Sequence, residues 1–430
     1  MLKEGNLKQY SLTSTSMTQH KSKSRETNAI RYIWVAFFFW PLLGFLLAWY
    51  HIRTKGAKYI IIAFYLLYGL LYVINPAMDG ARRADLLSEA HSEPLSNVFF
   101  YINNLYETTV DFLDPIIIYL VSRFSDFHGF LFATYAIIFG LLSLKFIQNL
   151  SRRYINYPMN KNALLFFILL VWTNFVFNIG GFRMWTAAWI FSLSTLYYLR
   201  NLKIKYIILA GTSVLMHFSF IPLTLLLLTY HFLGNRPKLY VILAIGSLFV
   251  SELDIGSIQS YSSNFGSAIE HKVDSYTNEQ YMAKRESLRQ NYVWFMDVGP
   301  RLLFYFTYVS LAYLYYKTKG VTKDYVFNGL FSLSLLFLAF SNISALLPSG
   351  GRFRVIFYSF AFATLFIYYI KFEEKRSLKN INWLGLPIAT LYLLIKFRIA
   401  TETISLYLIG PSLVIPFGLY DPAPLKDFLF

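Results

Sequence analysis

Residues 163–199 read ALLFFILLVWTNFVFNIGGFRMWTAAWIFSLSTLYYL, and Arg183 is the single charged side chain among them. A helix needs about 20 mostly apolar residues to cross the hydrocarbon core of a membrane. The stretch supplies two runs near that length, 163–180 and 184–199, joined across Gly180-Gly181-Phe182-Arg183. Runs of the same kind recur on both sides, near 32–50, 57–75, 127–148, 204–217, 219–233, 238–251, 299–316, 325–347, 353–370, 382–396 and 403–418. A shorter apolar stretch at 112–124 reads as re-entrant, interfacial or half of a broken helix. The chain is therefore expected to be an all-α polytopic membrane protein of about 12 transmembrane helices, within a range of 10 to 14.

Composition agrees. Charged residues make up 14% of the 430, against about 25% in soluble domains. Aromatics reach 20%, which suits helices anchored at many membrane–water interfaces. The net charge of +16 would suggest nucleic acid in a soluble chain. Here the cations collect in short loops, as the positive-inside rule requires, and no nucleic-acid partner is expected. The absence of cysteine excludes disulfides, thiolate metal sites and cysteine nucleophiles.

Residues 1–28 are rich in Ser, Thr and Lys and read as a disordered polar tail, with 29–430 forming one transmembrane domain. Arg53 and Lys58, Arg152 and Arg153, Arg200 and Lys205, Arg236 and Lys238, Lys317 and Lys319, and Lys371 and Lys375 mark an alternating set of loops read as cytoplasmic. The opposite set holds two long loops, 76–126 and 252–298, with short links near 178–183, 347–352 and 397–402. These are read as external, which places the N-terminus outside despite Lys21, Lys23 and Arg25. No fixed-period or inverted repeat is visible, which weakens a transporter reading. There is no Walker A loop, no series of intramembrane arginines and no His-Glu-x-x-His motif.

Ionisable groups at the outer ends of spans are the candidates for chemistry, because charge there is costly. Arg183 opens a run after two glycines, and its planar fork matches phosphate oxygens. The alternative is an arginine reaching toward lipid headgroups. His217 closes a run in Met216-His217-Phe218-Ser219. Desolvation favours its neutral form, which can accept a proton, or it can serve as a hydrogen-bonding group between helices. Pro348-Ser349-Gly350-Gly351-Arg352-Phe353-Arg354 again sets glycines before cations at a span start, so Arg352 and Arg354 are candidates to bind a diphosphate. Asp79, Arg82 and Arg83 in the first long loop are weaker candidates. The second long loop interleaves Tyr276, Tyr281, Tyr292 and Trp294 with acids and arginines, as a sugar with apolar faces and a polar rim would need. No ligand cluster for a metal and no cofactor motif is seen.

These motifs resemble the EpsG family, bacterial polysaccharide polymerases related in role to the Wzy O-antigen polymerases. Members typically open a span with an arginine like that in Gly181-Phe182-Arg183. A Lys-rich inner turn follows, and the next span closes in His-x-Ser, as in His217-Phe218-Ser219. An acidic residue follows their second span and an Arg-Phe often starts a late one; Asp79 and Arg352-Phe353 occupy those places. Members often carry Gln after the arginine, where this chain has Met184, and Asp-x-x-x-Tyr, where Arg83 follows Asp79 by four.

The resemblance implies a membrane glycosyltransferase that joins oligosaccharide repeat units carried on undecaprenyl diphosphate, at the outer face of the bacterial inner membrane. Arg183, His217 and Asp79 would be catalytic. Arg352, Arg354, Arg82 and Arg83 would hold the diphosphate, and catalysis would need no metal. Its partners would be the lipid-linked oligosaccharide, membrane lipids, and a chain-length regulator and flippase of the same pathway. An O-antigen ligase-like transferase shares these features and differs in its acceptor. A flippase would instead need polar residues at mid-membrane.

Overall fold

The structure is a computed structural model. It describes residues 28–54, 56–76, 78–94, 111–154, 157–251, 293–319, 322–347, 349–372 and 381–429, with a few isolated positions between 256 and 274. The expectations for the tail up to residue 27, for most of the loop 252–298, and for Tyr276, Tyr281 and Tyr292 lie outside the described residues. Among the described residues the chain is helical throughout; one isolated bridge pairs Ser405 with Pro424.

The first helices are α1 (Asn28–Phe39), α2 (Pro41–Tyr50) and α3 (Ala57–Leu70). The run 32–50 is thus broken. Pro41 forces the preceding Trp40 into an extended conformation (φ −147°, ψ 96°), which ends α1. Among the described residues of the loop 76–126 are two helices, α4 (Asp79–Ser92) and α5 (Leu113–Ser122), packed on each other. The ambiguous stretch 112–124 is therefore a short helix of its own. Then follow α6 (His128–Arg153), α7 (Lys161–Thr173) and α8 (Phe182–Asn201). A 3-10 turn over Val176–Gly181 carries the chain from α7 into α8. Next come α9 (Lys205–Gly211), α10 (Ser213–Met216), α11 (Ile221–Leu233), α12 (Pro237–Gly246), α13 (Trp294–Thr318), α14 (Tyr325–Ser344), α15 (Arg354–Lys371) and α16 (Ile381–Ala400).

Among the described residues, five segments are long and apolar enough to cross a membrane: 128–153, 161–201, 325–344, 350–371 and 383–400. Seven further apolar helices have only 10–17 residues, so length and composition do not by themselves yield twelve spans. The run 403–418 gives no span. Gly410, Pro411, Pro416 and Gly418 break it into α17 (Leu406–Ile409) and α18 (Ile415–Tyr420), followed by α19 (Lys426–Leu429).

The centre of the bundle is α14 and α15, which pack on each other; α15 also lies on α7, and α6 lies on α3 and α8. Nearly every residue of α15 from Val355 to Ile370 is buried, so this helix reads as apolar all round rather than striped. Small hydroxyl groups close the remaining bonds inside, as in Ser334 and Thr364, 3.2 Å apart between α14 and α15.

The basic ends of the helices gather on one side. There Asp324 caps α14 by accepting from the Val326 and Phe327 N–H groups (3.1 and 3.2 Å). It also accepts from Lys371 Nζ (2.7 Å) at the end of α15, and from Tyr154 Oη (3.1 Å) and Arg153 Nη2 (3.4 Å) at the end of α6. One buried carboxylate thus ties three helices together at the Lys- and Arg-rich end. The starts of α8 and α15 and the end of α10 lie at the opposite end.

Candidate functional site

At that opposite end, α4 begins at Asp79 after an extended Met78 (φ −109°, ψ 159°), which puts a carboxylate in the favourable first turn of a helix. One turn on, Arg83 points inward and is buried. Its Nε donates to Asp114 Oδ2 (3.2 Å), and its Nη1 donates to the carbonyls of Asp79 (2.9 Å) and Gly180 (3.4 Å). Burial alone would lower the pKa of Arg83. The Asp114 carboxylate beside it outweighs that effect, so the guanidinium is held above its ordinary value and stays charged. Asp114 accepts in addition from Tyr135 Oη on α6 (2.6 Å).

Arg183 stands in the first turn of α8. Its Nη1 donates to Asp111 Oδ2 (2.6 Å), and its Nε lies 3.7 Å from Asp114 Oδ2. The arginine side chain is 21% exposed and that of Asp111 only 2%, so the acid lies behind and the cation in front. Asp111 Oδ1 accepts from the Phe218 N–H (2.9 Å) and lies 3.8 Å from His217 Nδ1. The two acids just before and within α5 therefore clamp α4, the start of α8 and the segment after α10 into one frame.

His217 is extended (φ −154°, ψ 113°) and caps the 3-10 turn Phe218–Phe220. The Ser219 N–H donates to His217 Nδ1 (3.4 Å), and the Ser219 hydroxyl lies 3.0 Å from the same nitrogen. A backbone N–H can only donate, so Nδ1 is the accepting nitrogen. In the neutral ring the proton then sits on Nε2.

Arg352 comes from a second tight turn, the 3-10 segment Gly350–Phe353 ahead of α15. A side chain at Gly350 would collide with the Ser344 carbonyl, so the turn requires glycine to fold against the end of α14. Arg352 is exposed, and no ion pair joins it to a described carboxylate.

These groups line one pocket: Asp79, Arg83, Gly181, Arg183, Met184, Trp185, His217 and Arg352. Five sequence candidates, Arg183, His217, Asp79, Arg83 and Arg352, thus converge from four separate parts of the chain. The cavity holds about 130 Å³. Whole-ligand pockets are usually roughly 300–1,000 Å³, so this one is sized for a reacting head group rather than an oligosaccharide. Other candidates are elsewhere. Arg82 is on the exposed face of α4. Arg354 lies over the Phe304 ring (4.9 Å), away from the pocket lining. Trp294 is 71% exposed at the start of α13. Among the described residues no group of three His, Asp or Glu is placed to hold a metal ion.

Sequence reading passed over Asp111, Asp114 and Trp185 as site residues. The two acids give only a slight local signal, three apart at the mouth of an apolar stretch, because the arginines they pair with lie far away in sequence.

The fold and the pocket define a helical membrane protein with an arginine-rich site at one end of its bundle. The sequence model of the EpsG family matches residues 96–408, and the chain belongs to that family of Wzy-type polysaccharide polymerases and exopolysaccharide-biosynthesis membrane proteins. The match takes in Arg183, His217 and Arg352 but begins after Asp79 and Arg83. No curated protein and no solved structure matches the chain.

Proposed function

We propose that this protein is a polymerase that joins oligosaccharide repeat units carried on undecaprenyl diphosphate, acting at the outer face of a bacterial inner membrane without a metal. The observation that carries this reading is the convergence of Arg83, Arg183, Arg352, His217 and Asp79 on one pocket. The crowding of Lys and Arg at the other end of the bundle supports a cytoplasmic position for that end and an outward-facing pocket. The shorter apolar helices would complete a bundle of about twelve spans.

In the reaction, a hydroxyl oxygen of the incoming unit attacks the anomeric carbon of the growing chain. A new carbon–oxygen bond forms, the bond from that carbon to the diphosphate breaks, and the lipid diphosphate leaves with the electron pair. Negative charge grows on the leaving group, and preorganised cations stabilise it. Arg352 is the pocket cation that no described carboxylate engages, and it stands at the N-terminus of α15. A lone cation there opposes the helix dipole by about 0.3–1 kcal/mol, an adverse effect that a bound anion reverses. Arg183 and Arg83 add fixed donors. Asp79, whose carboxylate has no hydrogen bond to a described group, takes the acceptor proton. His217, with Nδ1 engaged, donates from Nε2 to a phosphate oxygen.

The test uses the full chain in lipid nanodiscs with a defined undecaprenyl-diphosphate-linked tetrasaccharide and a chelator. A ladder of products spaced by one unit is expected, and it should vanish in Arg352→Ala. Single transfer to a different lipid or protein acceptor, with no ladder, would make the protein a ligase instead.

A further inference from the structure

The groups of the pocket fall into two sets. Arg83 and Arg183 are engaged by Asp114 and Asp111, and His217 Nδ1 by Ser219. The Asp79 carboxylate, Arg352 and Trp185 remain for a ligand. Trp185 is the unusual member. It is one aromatic among a fifth of the chain, and rings pair widely in this fold. One turn on, Trp189 is buried against Phe139 and Phe146. Trp185 is half-buried, stacks on no described ring, and its indole N–H donates to no described group. Its position is set instead by the backbone turn before α8. A Cβ on Gly181 would fall 2.7 Å from the indole Nε1 and 3.0 Å from Cδ1, so the ring edge lies directly on that glycine.

We infer that Trp185 is the platform for a hexopyranose, with Asp79 accepting hydrogen bonds from the sugar hydroxyls. A sugar ring offers a face of C–H groups to an aromatic surface and hydroxyls to a carboxylate. The cavity of about 130 Å³ takes a single sugar ring at its floor, with the rest of a chain left toward its open mouth. The ring held is therefore the one attached to the diphosphate, beside Arg352. This rests on the lipid-diphosphate reading above and adds to it the residue that recognises the sugar.

Two probes separate the two claims: farnesyl diphosphate, and farnesyl diphosphate bearing a single hexose, tested as a panel of glucose, galactose and their 2-acetamido forms. Binding is measured on the full chain in nanodiscs by thermophoresis. Wild type is expected to bind at least one sugar-bearing probe about tenfold more tightly than the bare diphosphate, the scale of an aromatic contact. Trp185→Leu should erase that gain and leave affinity for farnesyl diphosphate unchanged, which also reports an intact fold. Trp185→Phe should keep most of the gain. Gly181→Ala, which leaves every polar group in place but displaces the indole, should lose it like Trp185→Leu. If wild type and Trp185→Leu show the same sugar-dependent gain, the platform is wrong while the diphosphate site stands. If wild type binds neither probe, the lipid-diphosphate reading fails and the platform with it.

Discussion

At the residue scale, charge in this site is paired before it is used. Arg183 faces the pocket, but its geometry is fixed by Asp111 behind it. Arg183→Lys keeps the charge and loses the fork, so it cannot hold Asp111 and a phosphate together. Polymer formation should fall at least about 100-fold, with folded protein retained, as read from product ladders and size-exclusion profiles. Asp111→Ala leaves Arg183 with only the 3.7 Å approach to Asp114 and removes the carboxylate that the Phe218 N–H donates to. A stability loss of about 2 kcal/mol is expected, discounted from the fully buried case because Arg183 reaches solvent. Wild-type melting of the Asp111 variant would show that the frame does not depend on this acid.

His217 separates two chemistries. The sequence suggests a base, whereas the Ser219 N–H on Nδ1 suggests a donor through Nε2. Glutamine can donate but cannot take a proton near neutrality. If His217 donates, His217→Gln should retain a good part of turnover, within about tenfold of wild type, while His217→Ala should lose about 100-fold. An inactive but folded Gln variant would return the base role to the histidine.

At the element scale, the ends of α14 decide both faces of the bundle. Burial pushes the Asp324 carboxyl up, but the Lys371 ammonium, the Phe327 N–H and the Arg153 charge more than reverse this, leaving it below its ordinary value of 3.8. A depressed carboxylate contributes stability above its unfolded pKa and loses it as pH falls through the folded one. Melting should therefore be insensitive to this group between pH 5 and 8 and should drop below about pH 4. Asp324→Asn keeps a cap oxygen but strands Lys371 and Arg153, so it should lower stability by about 1–3 kcal/mol at neutral pH and flatten the acid limb. At the far end, Gly350→Ala should disturb the Arg352 turn more than α15 itself. Activity should fall by at least tenfold while the helical circular dichroism stays unchanged.

For the whole molecule, what the sequence made legible was whatever obeys a period or a charge rule. The apolar runs foretold the helices, and the Gly-Gly-Phe-Arg and Gly-Gly-Arg motifs the sequence singled out stand at two helix starts beside the pocket. The count of spans was less readable, because Pro41, Pro411 and Pro416 break apolar runs whose hydropathy alone looks continuous. The two acids that organise the site were hidden for another reason. Asp111 and Asp114 acquire meaning only through Arg183 and Arg83, which are distant in sequence, and pairing across such distances has no local signature. The two-ended arrangement predicts topology. With single cysteines placed in this cysteine-free chain, position 203 should resist an impermeant thiol reagent from outside and position 276 should label. The reverse pattern would invert the molecule and put the pocket in the cytoplasm.

The segment after α16 folds back on the start of the chain. The Thr403 carbonyl accepts from the Val73 N–H (3.1 Å), Glu402 accepts from the Asn75 amide (3.2 Å), and the Ile409 carbonyl accepts from Trp40 Nε1 (2.7 Å). Residues 72–75 lead directly into Asp79. The ribosome makes them early and residues 402–409 more than 300 positions later, a delay of some tens of seconds at about 5–20 residues per second. During synthesis the segment before Asp79 therefore stays unpinned until residues 402–409 follow. The frame around Asp79 is then completed late, on a schedule timed by translation itself.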